Sequence, residues 1–425
     1  MNLVPEIVAK IDNNINERNL KTKEMTENEI PEFFRDLKTI DPEKEIVFCK
    51  NCTMSNQRPR IQFNEKGFCS PCVYHEYKRK LIDWDKREKE LEILCDKHRK
   101  DDGTWDVIVP SSGGKDSSYV SYVLKEKYGM NPLTVTWAPA VPTNIGQENL
   151  FNMAYTGQDN VLFTPNGITH RKLSRESLIE YGDNFIPFNY GQINVPLQCA
   201  LKFNIPFVMY GENGDLEYGG SVRDCERSTL RISTETIEDK FTGLPTPTTA
   251  SALAKQNWLP DGVKIEDLQL YLPPLKKELD RTEIEEYFFS YYENWKPEEH
   301  LEIAKKYCNY KINEKRVEGT YTNFASLDDK LDGFHYYLMF IKQGMGRATS
   351  DTAHQVRHGI ITRDEGVELV RKYDGEFPSK YLDLFLDYME MDMDELNRIF
   401  DKFRKPIVWK KDNEKWELRQ QISKL

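Results

Sequence analysis

The sequence predicts an α/β fold with a doubly wound, mostly parallel sheet, and three observations carry that prediction. Short apolar runs at 106–110, 132–137, 160–164 and 206–210 alternate with helical stretches, the pattern of parallel crossover units. The first run, Val107-Ile108-Val109, leads into Ser112-Gly113-Gly114-Lys115-Asp116-Ser117, after which 118–127 reads as a helix. The fourth leads into Gly211-Glu212-Asn213-Gly214-Asp215. Ligands of such sheets sit beyond the carboxyl ends of the strands, so both turns fall where a ligand is expected.

Residues 1–45 are polar and charged, with weak apolar periodicity at Ile7, Ile11 and Ile15, and predict an appended arm, helical or partly disordered. Residues 46–74 hold Cys49-x-x-Cys52, sixteen further residues, then Cys69-x-x-Cys72, inside the spacing range of a four-cysteine zinc site. Four thiolates close the tetrahedral shell of zinc and leave no position for a catalytic water, so the site reads as structural. Gly67 and Pro71 suit the turns of such knuckles. Arg58, Pro59 and Arg60 lie on the loop between them and face either an anion or solvent. Residues 75–104 form a charged linking helix with Leu81, Trp84, Leu91 and Leu94 on its apolar side, and 105–240 form the α/β domain. The Pro-, Thr- and aromatic-rich stretch 241–325 reads as an irregular insertion or lid, 326–403 as a helical substrate-binding region, and 404–425 as a basic tail.

At 425 residues and a formal charge of -11, the chain can bury a large core and is too acidic for non-specific binding to a nucleic-acid backbone. It holds neither an apolar run of the roughly 18 to 20 residues a membrane span needs nor the apolar core of a signal peptide. Eight cysteines, four of them in a metal pattern, fit a reducing compartment. The expected location is the cytoplasm, with no nucleic-acid or membrane partner.

The turn after the first strand is a phosphate cradle: Gly113 and Gly114 let the backbone approach an anion, and the following helix presents free N–H groups and its positive end. The G-x-x-x-x-G-K-[ST] spacing of the common nucleotide loop is absent. Residues 112–117 instead resemble the SGGxDS loop of ATP pyrophosphatases, the PP-loop superfamily, which split ATP between its α and β phosphates. That resemblance implies AMP-forming activation of a substrate oxygen and a fold of the PP-loop type. Lys115 suits a point-charge contact to a phosphate. Gly211, at the end of the fourth strand, joins Ser112 to Ser117 as a candidate nucleotide contact, and Trp137 either lines an adenine pocket or belongs to the core. Asp116 and Asp215 are the candidate Mg2+ ligands. Glu212 and Asp215 also match the Gly-Glu-x-x-Asp stretch of asparagine synthetases, where the glutamate deprotonates ammonia and the aspartate holds magnesium. Asn213 and an extra residue before Glu217 depart from that pattern, and an acidic turn with solvated carboxylates is the other reading. Arg347, Asp351, His354 and His358 share a helical face; with Arg357 it is either a site for an anionic substrate or a solvated salt-bridge strip.

Taken together, the cysteine pairs, 112–117, 212–220 and Gly346-Arg347-Ala348 make residues 46–375 resemble bacterial N-acetyl sugar amidotransferases, of the lipopolysaccharide and flagellin-glycan (pseudaminic or legionaminic acid) type. The resemblance implies conversion of an acetamido to an acetamidino group on a bacterial sugar: ATP transfers AMP to the amide oxygen, and ammonia then displaces AMP. It implies Glu212 as the base, Lys115 and Asp116 as catalytic groups at the cradle, and Arg347 and Arg357 toward an acidic or nucleotide-linked sugar. Implied cofactors are ATP, Mg2+ and structural Zn2+. Met1 is followed by Asn2 rather than a cysteine nucleophile, and Cys95, Cys199, Cys225 and Cys308 lack a nucleophile-elbow setting, so a separate glutaminase subunit is expected to supply ammonia. A PP-loop tRNA thiolase is the alternative; it predicts a basic surface and catalytic cysteines beside the loop.

Overall fold

A computed structural model describes residues 31–220, Val222, 225–229, 259–272, Pro274, Glu278, 281–413 and 415–422. The expectations for residues 1–30 of the arm and 241–258 of the insertion lie outside them. Five parallel strands, β1 (Val107–Pro110), β2 (Pro132–Trp137), β3 (Asp159–Phe163), β4 (Phe207–Tyr210) and β5 (Glu285–Phe288), lie in the order β3-β2-β1-β4-β5. The chain winds outward from β1 to β3, returns, and places β4 on the other side of β1, with Ile108 beside Val208. The switch point of this doubly wound α/β sheet is therefore the crevice between the ends of β1 and β4.

Strand periodicity sorts the core. Ile108 and Val208 face one side, packed with Leu133, Val135 and Trp137 of β2. Val107, Val109, Phe207 and Met209 face the other. In chain order the helices are α1 (Ser70–Lys80), α2 (Trp84–His98), α3 (Lys115–Glu126), α4 (Asn144–Tyr155), α5 (Gly167–Tyr181), α6 (Ile186–Phe203), α7 (Pro297–Tyr307), α8 (Asp332–Gln343), α9 (Arg347–Arg357), α10 (Arg363–Tyr373), α11 (Leu382–Met389) and α12 (Met393–Phe403). Residues of α6, α8, α11 and α12 fill the first side, and residues of α2 and α3 the second. None of the described helices is long and apolar enough to cross a membrane.

Three sequence expectations change. The stretch 241–325 is not all insertion or lid: it supplies β5, which pairs with β4, and α7, which packs on α3. Glu285 and Glu286 interrupt the apolar pattern there, yet Glu286 is buried, and its charge acts on the Tyr210 hydroxyl. The linking helix of 75–104 is two helices: α1 begins inside the second cysteine knuckle, the chain breaks at 81–83 with Leu81 exposed, and Asp83 caps α2 by accepting from Lys86 N at 3.0 Å. The basic tail holds an antiparallel hairpin, β6 (Trp409–Asp412) with β7 (Lys415–Leu418), anchored by buried Trp409 donating to Ile341 O at 2.7 Å.

The cysteine module is fastened to the turn after β4. That turn, Asp215–Gly219, is a single π-helical turn. Lys78 of α1 meets Glu217 at 2.6 Å, with both side chains at most 4% exposed. Arg58 Nε donates to Gly219 O at 3.1 Å, Ser70 Oγ to Gly220 O at 3.2 Å, and Arg60 forks Asp215 at 2.9 and 3.2 Å. Removing one partner of a dry ion pair leaves the other charge unpaired in a medium that cannot solvate it. Lys78→Ala is accordingly expected to cost about 3–5 kcal/mol, read as a lowered urea midpoint, and an unchanged midpoint would contradict the buried pairing.

Candidate active site

At the switch point lies a cleft of about 520 Å³. Its floor is the turn after β1. Ser111 N–H donates to Val135 O at 2.9 Å, Gly113 N–H to Ser111 Oγ at 3.1 Å, and Ser117 Oγ to Gly114 O at 3.2 Å, which folds the loop on itself. Gly113 has φ +77°, and a Cβ there would lie 2.7 Å from Leu150 Cα, so only glycine fits. Gly114 precedes α3 in extended conformation and no side chain caps the helix, so its first amides point outward unclaimed by a cap.

Lys115 and Asp116 form an ion pair at the cleft wall. Asp116 Oδ1 also accepts from His300 Nδ1 at 3.0 Å. Lys296 N–H donates to His300 Nε2 at 3.4 Å, which leaves the imidazole proton on Nδ1, facing the carboxylate. Burial pushes Asp116 up, but Lys115 and His300 outweigh it and hold the carboxyl at about 2. Across the crevice, burial and then the Asp116 charge push Glu212 up to about 7. Two carboxylates in one cleft thus have separated titrations, one a fixed anion and one poised near neutrality.

The opposite wall comes from 322–355. Asp328, Asp332, Tyr336, Arg347, Asp351 and His354 line it. Burial and then Asp332 push Asp328 up to about 6, against a hydrogen bond from Ser112. Arg347 Nε donates to Asp351 Oδ1 at 3.0 Å, its guanidinium lies over the Tyr336 ring, and the pairing with Asp351 overcomes burial to keep it charged. A second cavity of about 370 Å³ shares Ser326, Leu327, Asp332, Tyr336 and Arg347 with the first and adds Arg316 and Lys380.

Of the expected residues, the cleft brings together Ser112, Gly113, Gly114, Lys115, Asp116, Glu212 and Arg347. It does not bring in the others. Trp137 is 3% exposed and packs on α6 as part of the core: a Cβ at Gly191 would lie 2.2 Å from its ring. Asp215 is not among the residues lining the cleft, and its carboxylate is forked by Arg60. Arg357 is buried behind the wall, where it donates to Glu217 O at 2.7 Å and faces the cysteine thiols. Gly211 lies under Trp295, and Ser117 is turned into the loop. The sequence reading missed His300, Asp328 and Asp332. The Asp328-Asp329-x-x-Asp332 cluster ahead of α8 was visible as a signal; His300, 184 residues from Asp116, was not.

The four cysteines converge. Cys49 and Cys72 sulfurs lie 3.8 Å apart, Cys52 and Cys69 sulfurs 3.6 Å apart, and all four are buried. Metal–sulfur bonds of about 2.3 Å give a tetrahedron with edges of about 3.8 Å, so the set fits one ion. Amides of Asn51, Cys52 and Cys69 reach Cys49 Sγ at 3.3 to 3.5 Å, and Asn51 Nδ2 reaches Cys72 Sγ at 3.3 Å, the donor arrangement a thiolate cluster needs. The other four cysteines are buried thiols; burial pushes Cys199 and Cys308 up to about 11 and Cys95 up to about 12.

Residues 318–423 match the family model "LPS biosynthesis protein WbpG-like, C-terminal domain". The WbpG-like segment is therefore the one that builds the wall facing the loop. Among curated proteins, the uncharacterized protein MJ1599 of Methanocaldococcus jannaschii is 31% identical over 88 residues, 20% of this chain and 31% of that protein. The chain thus aligns with under a third of that relative's length. Among solved structures, the U34-tRNA thiolase NcsA from Methanococcus maripaludis, determined with its [4Fe-4S] cluster, aligns with 68% of this chain and 82% of its own. At 12% identity and a TM-score of 0.29 this likeness carries no inference about chemistry.

Loading Co2+ into the four-cysteine site gives a direct test of the ligand set. Wild-type protein is expected to show sulfur-to-cobalt charge-transfer absorption, and Cys52→Ser to lose most of it.

Proposed function

We propose that this chain is an ATP-dependent enzyme of bacterial surface-sugar biosynthesis that replaces the oxygen of an acetamido group with nitrogen, releasing AMP and pyrophosphate. One observation carries the reading: a phosphate-cradling loop with Lys115 and Asp116, and a carboxylate poised near neutrality at Glu212, face a wall built by the WbpG-like segment across a single cleft.

An amide carbon is a poor electrophile, since its nitrogen donates into the carbonyl. Bonding of the acetamido oxygen to the α-phosphorus, with loss of pyrophosphate, converts that oxygen into a leaving group. Ammonia then adds to the carbon, and the C–O bond breaks with departure of AMP. The uncapped amides of α3 and Lys115 would hold the triphosphate and meet charge as it develops on pyrophosphate. Asp116, tied to His300, holds Lys115 in place. Glu212 would take the proton that ammonia sheds on attack. Arg347, fixed by Asp351 and Tyr336, would meet an anionic group of the sugar, and Arg316 and Lys380 of the adjoining cavity add positive charge there. Asp116 and Asp215 would be the carboxylates to hold a magnesium ion, Asp215 only on release from Arg60, and no step is routed through it. Zinc fits the four cysteines, where it would brace the module without touching substrate. A cytoplasmic location and a separate glutaminase as the ammonia source belong to the same proposal.

Phosphorus NMR with ATP, ammonium chloride and a panel of acetamido sugars, nonulosonic acids and nucleotide-linked uronic acids among them, tests the reaction. AMP and pyrophosphate in equal amounts are expected, with a product about 1 Da lighter than the sugar as oxygen is exchanged for NH. AMP formation only with tRNA and a sulfur donor would reassign the chain to thiolation.

The pH profile provides a separate test. The base works when deprotonated, so an upward shift to about 7 predicts a rate per free NH3, corrected for the ammonium titration, that rises through pH 7 and then levels. Glu212→Gln is expected to lower that rate by about 10²–10⁴-fold and to remove the inflection; a profile flat between pH 6 and 8 in the parent enzyme would exclude Glu212 as the base.

A further inference from the structure

Beside the loop lies a second group of metal-type side chains that neither the cysteine module nor the proposed reaction uses. Glu298 at the start of α7 and His354 and His358 of α9 bring one donor atom each to within 4.8 Å of one another. The two histidines are four residues apart on one helix, so their rings project from the same face, with centroids 4.6 Å apart. His358 Nδ1 lies 3.3 Å from Glu298 Oε2. His354 is 6% exposed, and neither of its ring nitrogens has a hydrogen-bond partner among the described residues. Burying an imidazole without partners is costly, and a bound cation is the partner its lone pair lacks.

We propose that Glu298, His354 and His358 bind a first-row divalent transition metal at the edge of the cleft. Two imidazoles and one carboxylate suit an ion of intermediate softness such as zinc, manganese or iron, and disfavour magnesium, which selects oxygen. His354 Nε2 lies 4.0 Å from Glu217 Oε2, placing that carboxylate to orient the ring from outside the metal shell while the other nitrogen ligates. Positive charge nearby is already compensated: Lys78 is paired with Glu217 and Lys115 with Asp116, while Arg357 faces the cysteine thiols. The His75 ring lies tilted against that of His358, with centroids 5.2 Å apart. Three protein ligands leave coordination positions open, and Glu298 and His354 both line the cleft, so the open side faces its contents. The ion would take an anionic oxygen, phosphate or carboxylate, of whatever the cleft holds. The inference rests on α7 and α9 alone and needs no substrate or turnover.

The test uses the full chain with its cysteine site filled by zinc, to which Mn2+ or Co2+ is added. Mn2+ is expected to bind at one equivalent with nitrogen couplings from imidazole in pulsed EPR, or Co2+ to add a second equivalent without sulfur charge-transfer absorption. That equivalent should be lost in Glu298→Gln and His358→Ala and kept in Cys52→Ser. Because the parent protein decides the matter, a variant that fails to fold cannot mimic the result. Mn2+ without nitrogen coupling together with no second, sulfur-free Co2+ equivalent overturns the proposal, as does an equivalent that survives in both folded variants.

Discussion

The rest of the structure depends on the dry ion pair between Lys78 and Glu217. Glu217 belongs to the turn that carries Glu212 out of β4, and Lys78 to the helix that grows from the second cysteine knuckle. Around that pair Arg58, Arg60 and Ser70 take up the carbonyl and carboxylate oxygens of 215–220. A π-helical turn leaves backbone groups out of the α ladder, and here the partners for them come from the cysteine module rather than from water. The module also reaches α9 and α10: Thr53 bonds Thr352 at 2.9 Å, and Arg363 reaches Cys49 O at 3.3 Å. It is thus a keystone between the strand end that presents Glu212 and the helix that presents Arg347.

This arrangement explains the electrostatics of the cleft. Arg60 and Lys78 neutralise Asp215 and Glu217, which would otherwise crowd Glu212 with negative charge. The charge that acts on it most is that of Asp116, itself held ionised by Lys115 and His300, with Glu217 a smaller contribution. One carboxylate is kept charged by its partners and the other is pushed toward neutrality by burial and by the first, so the ends of β1 and β4 bring two differently titrating groups into one cleft.

How much of this was legible in the sequence follows from the range of the interactions. The sheet and its two functional turns were readable because strand, glycine turn and helix are consecutive along the chain: β1, 111–114 and α3 specify one another locally. The cysteine knuckles were readable for the same reason. Strand β5 was hidden because Glu286 is buried by a partner, Tyr210, that lies 76 positions earlier. Asp215 looked like a metal ligand until Arg60, 155 residues away, is placed against it. Trp137 gave no sign of its role, which Gly191 decides by leaving room for the indole. In each case a residue's chemistry was right and its partner was out of sight.

The cleft is assembled from two separable pieces of chain, the loops of the α/β sheet on one side and the WbpG-like segment on the other. The loop is closed by hydrogen bonds within 111–117 and to β2, and Ser112 also bonds Asp328 of the opposite wall. Under the proposed function, exchange of side chains along α8 and α9 would change which sugar is accepted while the glycine turn after β1 is kept.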